Sequence, residues 1–341
     1  MADKRILFIH PGMSTFVRQD FDLISEKFEV REFNYHSSKS LVTNLREQTR
    51  LLLWLSYRIW WCDSIFIWFA DYHSALPVLF SKMMRKHSFI VIGGYDAVHI
   101  PELNYGAFKN PIRSFLTKFS IKNTSLNLPV ANRLGEKIEQ RISHANILVL
   151  PTGYDSDYYR PFGEKVQHLV ITVAIIDTIQ RFQLKGIDLL IEVAKKMANI
   201  SFMIIGINDD IKATIAHCPS NIRLIGKLKH NEIVKYYQKA KVYSQLSLSE
   251  GLPNTLCEAM LCGCIPIGTD VGDIKYAIGD TGFIVKERTV EGVIVMLKKA
   301  LQTDINNGLK ARQRISTLFP EYKRKKKIYK LLSNAKQLKN E

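Results

Sequence analysis

Residues 247–263 bring together types that do chemistry. Glu250 and Glu258 stand with seven residues between them, around Gly251, Leu252, Pro253, Asn254 and Thr255. The apolar run 242–248 precedes them. The segment therefore leaves the carboxyl end of a strand, where open α/β sheets bind ligands. Gly251 and Pro253 enforce a turn, Asn254 is a suitable N-cap, and a helix is predicted through Met260 with Gly263 stopping it. A helix start offers free N–H groups and partial positive charge, which suits a phosphate. Glu250 falls in the loop before that helix and Glu258 one turn inside it. Ionised carboxylates only accept hydrogen bonds, so two of them beside a phosphate site suit hydroxyl-rich groups.

The elements that must position this segment read as α/β. Short apolar runs at 5–9, 28–33, 64–69, 89–92 and 147–150 alternate with helix-like stretches such as 40–59 and 134–141. A second series has strand candidates at 169–175, 201–205, 222–225, 242–245, 265–268 and 282–285. Its helices are predicted at 187–197, 231–240, 255–262 and 290–300. Strands alternating with helices imply βαβ units and parallel sheets. Two such series in 341 residues suggest two Rossmann-like halves facing one another. The join is expected within 151–165. The domains then run 1–160 and 161–318, and a C-terminal helix over about 319–341 packs back on the first.

Composition excludes several classes. The chain is 46% hydrophobic and 23% charged, unlike a disordered chain or a disulfide scaffold. No long apolar leader opens it, and the most apolar stretch, 51–70, is interrupted by Arg58 and Asp63, so no spanning helix is expected. Five cysteines without a CxxC pair fit a reduced, cytoplasmic setting. Cys257, Cys262 and Cys264 sit in apolar context and read as buried thiols rather than metal ligands. The formal charge of +16 calls for an anionic partner. Residues 307–341 hold eleven Lys or Arg against two Glu, with apolar positions at helical spacing. A helix docked on the core with its lysines in water is the plain reading of that tail, and adhesion to anionic lipid the sharper one. Nucleic acid is disfavoured, because no recognised binding motif is present.

Residues 247–263 closely follow S-x-x-E-G-L-P-N-x-x-x-E-A-M-x-x-G, and in this they resemble retaining glycosyltransferases of the GT-B fold, particularly family 4, with their E-x7-E signature. Residues 268–272, the join around Leu150-Pro151-Thr152-Gly153, and Lys185-Gly186 are similar to further elements of that family, in its order. The resemblance implies a nucleotide diphosphate sugar as donor and a hydroxyl acceptor, with retained anomeric configuration. It implies that Glu258 holds the ribose hydroxyls and that Glu250 contacts the donor sugar near the reacting centre. The amides at Gly251, Leu252, Asn254 and Thr255 would meet the phosphates and sugar. Lys185 matches the lysine that neutralises the diphosphate. Its arginine companion falls five residues earlier in the family, where this chain has Gln180; Arg181 is the nearest candidate. No Asp-x-Asp motif stands in a suitable place, so neither metal nor other cofactor is expected.

In the first domain, Gly12 follows the first strand, where the family has a glycine-rich loop. Residues 93–96 are similar to its H-G-x-D segment, with Gly93 in place of the histidine. Asp96 is a candidate for contacting the acceptor or for bracing the turn, and His99 for replacing the missing imidazole. The basic surplus and the aromatic residues of 54–68 suggest a lipid-linked or cell-envelope saccharide acceptor, handled at the inner face of a membrane. Two other readings stay open: a nucleotide-sugar epimerase of the same fold, and a non-catalytic protein that binds anions or nucleic acid.

Overall fold

A computed structural model of the chain describes residues 4–37, 40–215 and 218–334. The chain divides into two compact units, one formed by the residues up to Thr152 together with those from Tyr322 onward, the other by Gly153–Glu321.

The first unit runs β1 (Arg5–His10), α1 (Thr15–Ser25), β2 (Glu29–Asn34), α2 (Leu41–Arg58), β3 (Ser64–Trp68), α3 (Ala75–Met83), β4 (His87–Ile92), α4 (Pro111–Asn123), β5 (Leu126–Pro129) and α5 (Asn132–Arg141). Its five parallel strands lie in the order β2-β1-β3-β4-β5. Ile6 to Ile9, Ile65 to Trp68 and Phe89 to Ile92 are essentially inaccessible, as expected for strands covered on both faces.

The second unit runs β6 (Val166–Ile176), α6 (Ile179–Leu184), α7 (Ile187–Lys196), β7 (Ser201–Ile207), α8 (Asp209–Thr214), β8 (Ile222–Ile225), α9 (His230–Lys239), β9 (Ala240–Gln245), α10 (Asn254–Leu261), β10 (Ile265–Thr269), α11 (Ile274–Ile278), β11 (Phe283–Val285), α12 (Val290–Gln302) and α13 (Asn306–Leu318). Its six parallel strands lie in the order β11-β10-β9-β6-β7-β8. Val170, Ile187, Phe202, Val242 and Ile267 stand in a core shared by sheet and helices. The last helix, α14 (Glu321–Ser333), contributes its residues from Tyr322 to the first unit.

One strand differs from expectation. Residues 147–150 do not form a named strand; the fifth strand of the first sheet is Leu126–Pro129, and Asn127 makes only an isolated bridge to Ile147. The amides of Leu148 and Leu150 donate to the carbonyls of Asn127 and Pro129. A four-residue strand holding Asn and Pro gives little apolar signal, and Pro is tolerated where a ladder donor is not needed.

Helix α14 is docked by a buried ion pair. The Arg324 guanidinium donates from Nε and Nη2 to the two oxygens of Asp20 in α1, at 2.7 and 2.6 Å, while Nη1 donates to the carbonyls of Leu150 and Pro151. Trp68 Nε1 donates to the same carboxylate at 3.0 Å. Ile328, Leu331 and Leu332 are buried behind it. Over 321–333 the basic tail is therefore a helix docked on the fold.

Breaking such a pair strands the other charge in an apolar interior. Arg324→Met should lower the unfolding free energy by about 3–5 kcal/mol, and adding Asp20→Asn should recover part of it. Denaturant titration of the two variants measures this.

Candidate functional site

Strand order decides where the second unit can hold a ligand. The chain builds β6, β7 and β8 outward in one direction, then returns to place β9, β10 and β11 on the other side of β6. Loops leaving the carboxyl ends of β6 and β9 therefore diverge, and a crevice opens between them. Lys185 lies in the connection after β6, and Glu250 in the loop after β9.

Two close approaches bring these loops together. The Leu248 amide donates to the Leu184 carbonyl at 2.8 Å. Gly186 has φ +69, and a Cβ there would stand 2.3 Å from the Leu246 carbonyl oxygen. Only glycine serves at such a left-handed, crowded position. Behind the loop, Gly272 at φ +53 leaves room for the carbonyls of Glu250 and Gly251, and the Asp273 amide donates to Gly251 O.

The result is an ion pair at the crevice, with Lys185 Nζ donating to Glu250 Oε1 at 2.5 Å. The same oxygen accepts from Ser247 Oγ at 2.7 Å and from Gln245 Nε2 at 3.0 Å. Tyr243 carries the net onward: its hydroxyl lies 2.7 Å from Thr255 Oγ1 and 3.0 Å from Gln245 Oε1. Thr269 Oγ1 donates to the Ser247 carbonyl. Glu250 is thus held in one place by charged and neutral donors. Three of these partners, Tyr243, Gln245 and Ser247, are not picked out by sequence reasoning about the site. Their alternation along β9 and just beyond it is the signal that could have found them.

Helix α10 begins beside this cluster. Asn254 is its first residue rather than its cap: Pro253 takes the cap position, and Asn254 Oδ1 accepts from the Tyr154 hydroxyl at 2.7 Å. The loop geometry set by Gly251 and Pro253, rather than a side-chain cap, starts this helix. Gly263, at φ +78, ends it as expected.

Glu258 sits one turn inside, only 5% exposed. Tyr237 donates to its Oε2 at 3.3 Å, and Tyr159 is a second phenol donor. His230 Nε2 lies 3.8 Å from Oε1, pairs with the Tyr159 hydroxyl, and is stacked against Tyr158 at 9°. Burial pushes the Glu258 carboxyl up to about 7, against the two phenol hydrogen bonds that favour its charge. Burial also pushes His230 down, toward the neutral ring. This aromatic shelf around Glu258 comes from α9 and from 153–160, far apart in sequence, and was not anticipated.

Other expected residues are placed as follows. Arg181 is not joined to the Lys185–Glu250 pair; it bonds Asp177 at 2.7 Å one turn earlier, on the surface. Arg288, which sequence reasoning missed, donates from Nε to the Leu246 carbonyl at 3.1 Å and so props the loop after β9. In the first unit, Asp96 is fully buried. Its oxygens accept the amides of Ala70, Gly93 and Gly94 at 3.1, 3.3 and 2.8 Å, and burial pushes it up to about 6. That is the brace of the turn, and it offers an acceptor no free face. Gly93 lies against Phe69, whose ring would stand 2.3 Å from a Cβ, so any side chain there requires that ring to shift. Gly12 closes a turn by donating its amide to His10 Nδ1. His99 is exposed. Cys257, Cys262 and Cys264 are buried, and burial pushes the Cys257 thiol up to about 12. Among the described residues no group of three His, Cys, Asp or Glu side chains is placed to hold a metal ion.

The two parallel sheets, each in its own α/β unit, define a GT-B fold. Residues 170–303, within the second unit, match the family model for glycosyl transferases group 1. The chain is 26% identical over 209 residues to trehalose synthase from Pyrococcus horikoshii, covering 56% of this chain and 48% of that protein. It is 21% identical over 207 residues to a subunit of phosphatidylinositol N-acetylglucosaminyltransferase from Arabidopsis thaliana, covering 58% and 43%. The chain thus spans about half the length of the curated relatives it matches. Among solved structures, HepE from Anabaena, in complex with UDP and glucose, shares the fold at a TM-score of 0.74 and 12% identity, covering 96% of this chain and 99% of that one.

The raised Glu258 carboxyl has a thermodynamic consequence. The folded state holds the proton more tightly than the ordinary value of 4.5 allows, so stability falls as pH rises from about 4.5 to about 7 and the cost is complete above that. Glu258→Gln should therefore be the more stable protein at pH 8, by up to roughly 3 kcal/mol, with the gap closing near pH 4. Denaturant midpoints across that range would show a constant gap if the carboxyl were unperturbed.

Proposed function

We propose that this protein is a retaining glycosyltransferase that moves a sugar from a nucleotide diphosphate donor to a hydroxyl acceptor. The observation that carries the reading is the Lys185–Glu250 pair beside the start of α10, with Glu258 one turn behind it. A cation and free amides suit the diphosphate, and two acidic side chains suit the polyol groups on either side. The group 1 match over 170–303 supports this assignment, and the structure of HepE with UDP and glucose supports a nucleotide sugar as the donor class.

In this reading Lys185 and the α10 amides stabilise charge developing on the departing diphosphate, which is the largest electrostatic demand of the reaction. Arg181 exchanges Asp177 for the diphosphate when donor binds. Glu250 leaves Lys185 and takes a hydroxyl of the donor sugar. Glu258, once its proton is released, accepts from the ribose hydroxyls while Tyr237 and Tyr159 hold it in line. The acceptor hydroxyl attacks from the face the diphosphate leaves, and a leaving oxygen takes its proton. No metal is needed where fixed cations supply the charge. The basic surplus and the likeness to part of a phosphatidylinositol glycosyltransferase favour a lipid-linked or cell-envelope saccharide as acceptor, reached from the inner face of a membrane.

Calorimetry with UDP, GDP and ADP should detect one nucleotide, and a panel of the corresponding sugars should identify the donor. Lys185→Ala should lower kcat/KM by about 10²–10³-fold. Glu258→Ala should act mainly on donor KM, by roughly ten- to a hundredfold, as expected for a lost charge-assisted hydrogen bond. Chelator should leave turnover unchanged. Unaltered kinetics in both variants, or an NMR spectrum showing rearranged donor without transfer, would reject the assignment.

A further inference from the structure

Strand β9 carries polar side chains where a strand covered on both faces is expected to be apolar. Tyr243 and Gln245 stand two apart and so share a face, and Ser247 continues the spacing just beyond the strand. All three are buried, Gln245 to 3% exposure. A buried amide is unfavourable unless its donors and acceptor are matched, and those of Gln245 are.

Glu250 dictates the direction of these hydrogen bonds. An ionised carboxylate only accepts, so Gln245 must turn Nε2 toward it and Oε1 away. Nε2 then donates its two hydrogens to Glu250 Oε1 at 3.0 Å and to Ser247 Oγ at 2.9 Å. Ser247 gives its own proton to the same Glu250 oxygen, at 2.7 Å. At the other end, Gln245 Oε1 accepts from the Tyr243 hydroxyl at 3.0 Å, and burial pushes that phenol up, so its proton stays in place. The Tyr243 hydroxyl also meets Thr255 Oγ1, in the first turn of α10, at 2.7 Å. A chain of matched groups thus runs from the start of α10 to Glu250. Lys185, Ser247 and Gln245 all donate to Oε1 of that carboxylate, while Oε2 has no partner among the described residues.

We propose that Gln245 is a positioning residue, which holds Glu250 so that Oε2 meets the donor sugar and thereby sets which sugar hydroxyls are recognised. The inference rests on the donor reading above, in which Glu250 parts from Lys185 when the diphosphate binds. An ion pair alone would then leave the carboxylate free to rotate. Gln245 and Ser247 stay on Oε1 and keep the carboxylate plane fixed, so Oε2 receives the sugar without reorganisation. Gln245 is fixed in turn, because reversing its amide would set Oε1 against a carboxylate and the Tyr243 proton against an NH2 group. A sugar hydroxyl of the wrong configuration finds no acceptor in that one direction, which is how hydrogen-bonding sites discriminate. Tyr243 acts on Glu250 only through the amide it orients.

The test compares the native chain with Gln245→Met, Tyr243→Phe and the double variant. Calorimetry with UDP, GDP and ADP reads the diphosphate half of the site. Hydrolysis of the glucose, galactose and mannose derivatives of the nucleotide that binds reads the sugar half and needs no acceptor. Gln245→Met should keep nucleoside diphosphate affinity within about twofold, because the groups it touches lie on the sugar side. It should lower kcat by roughly ten- to a hundredfold, as expected for a misplaced contact. The ratio of kcat/KM between the preferred sugar and its epimers should narrow by about tenfold. Tyr243→Phe should act in the same direction and less, and the double variant should be no worse than Gln245→Met alone. Should Gln245→Met fail to fold, Tyr243→Phe, which removes a single oxygen, carries the same prediction. The positioning role is overturned if both single variants keep the native kcat and epimer ratio, if the two losses multiply in the double variant, or if nucleotide affinity falls in step with turnover while the epimer ratio holds. If the native chain binds none of the three nucleotides and hydrolyses none of their sugars, the donor reading itself falls, and this inference with it.

Discussion

The second unit depends on one constraint: the chain reverses direction beside β6. Because β9 returns to the flank of the first strand laid down, the loops after β6 and β9 part company at their carboxyl ends. The Lys185–Glu250 pair hangs from those two loops. Lys185 comes from one and Glu250 from the other, and the short bridge between Leu248 and Leu184 fixes their separation. Gly186 is part of the same constraint, since any side chain there would collide with the opposing loop.

Glu258 illustrates what a deeply buried carboxyl does to the fold that carries it. A carboxylate this deeply buried loses hydration that two phenol hydrogen bonds restore only in part, so its proton is held to near neutral pH. An amide in its place would suit the fold better. Sites of this kind commonly trade stability for chemistry. Glu250 solves the same difficulty differently, by standing at the edge of the crevice with a lysine, a serine and a glutamine on one oxygen. Two acidic residues from one motif thus sit in unlike environments.

The first unit spends its buried polar groups on architecture. Asp20 fastens α14 through Arg324, and Asp96 ties together the turns that follow β3 and β4. Neither has an oxygen to spare. On its surface, α14 carries a run of lysines and α2 a set of exposed apolar side chains.

Much of this was legible in the sequence, and the reason is local physics. Continuous apolar runs mark strands buried on both faces, and all but one of those expected appear within a few residues of their observed bounds. The missed strand, Leu126–Pro129, is too short and too polar in pattern to show. Glu250, Glu258 and Lys185 stood out because glycine and proline punctuate the chain around them. What the sequence could not decide is where side chains meet. Arg181 stands one turn from Lys185 in sequence, yet its own Asp177 holds it. Asp96 could have contacted an acceptor or braced its turn, and amides enclose it. Tyr159, Tyr237 and His230 carry no shared motif, and only the packing of α9 against the chain at 153–160 collects them around Glu258. Order along the chain determined which loops carry chemistry; burial and partner geometry, which are properties of distant segments brought together, determined the charge and freedom of each group in them.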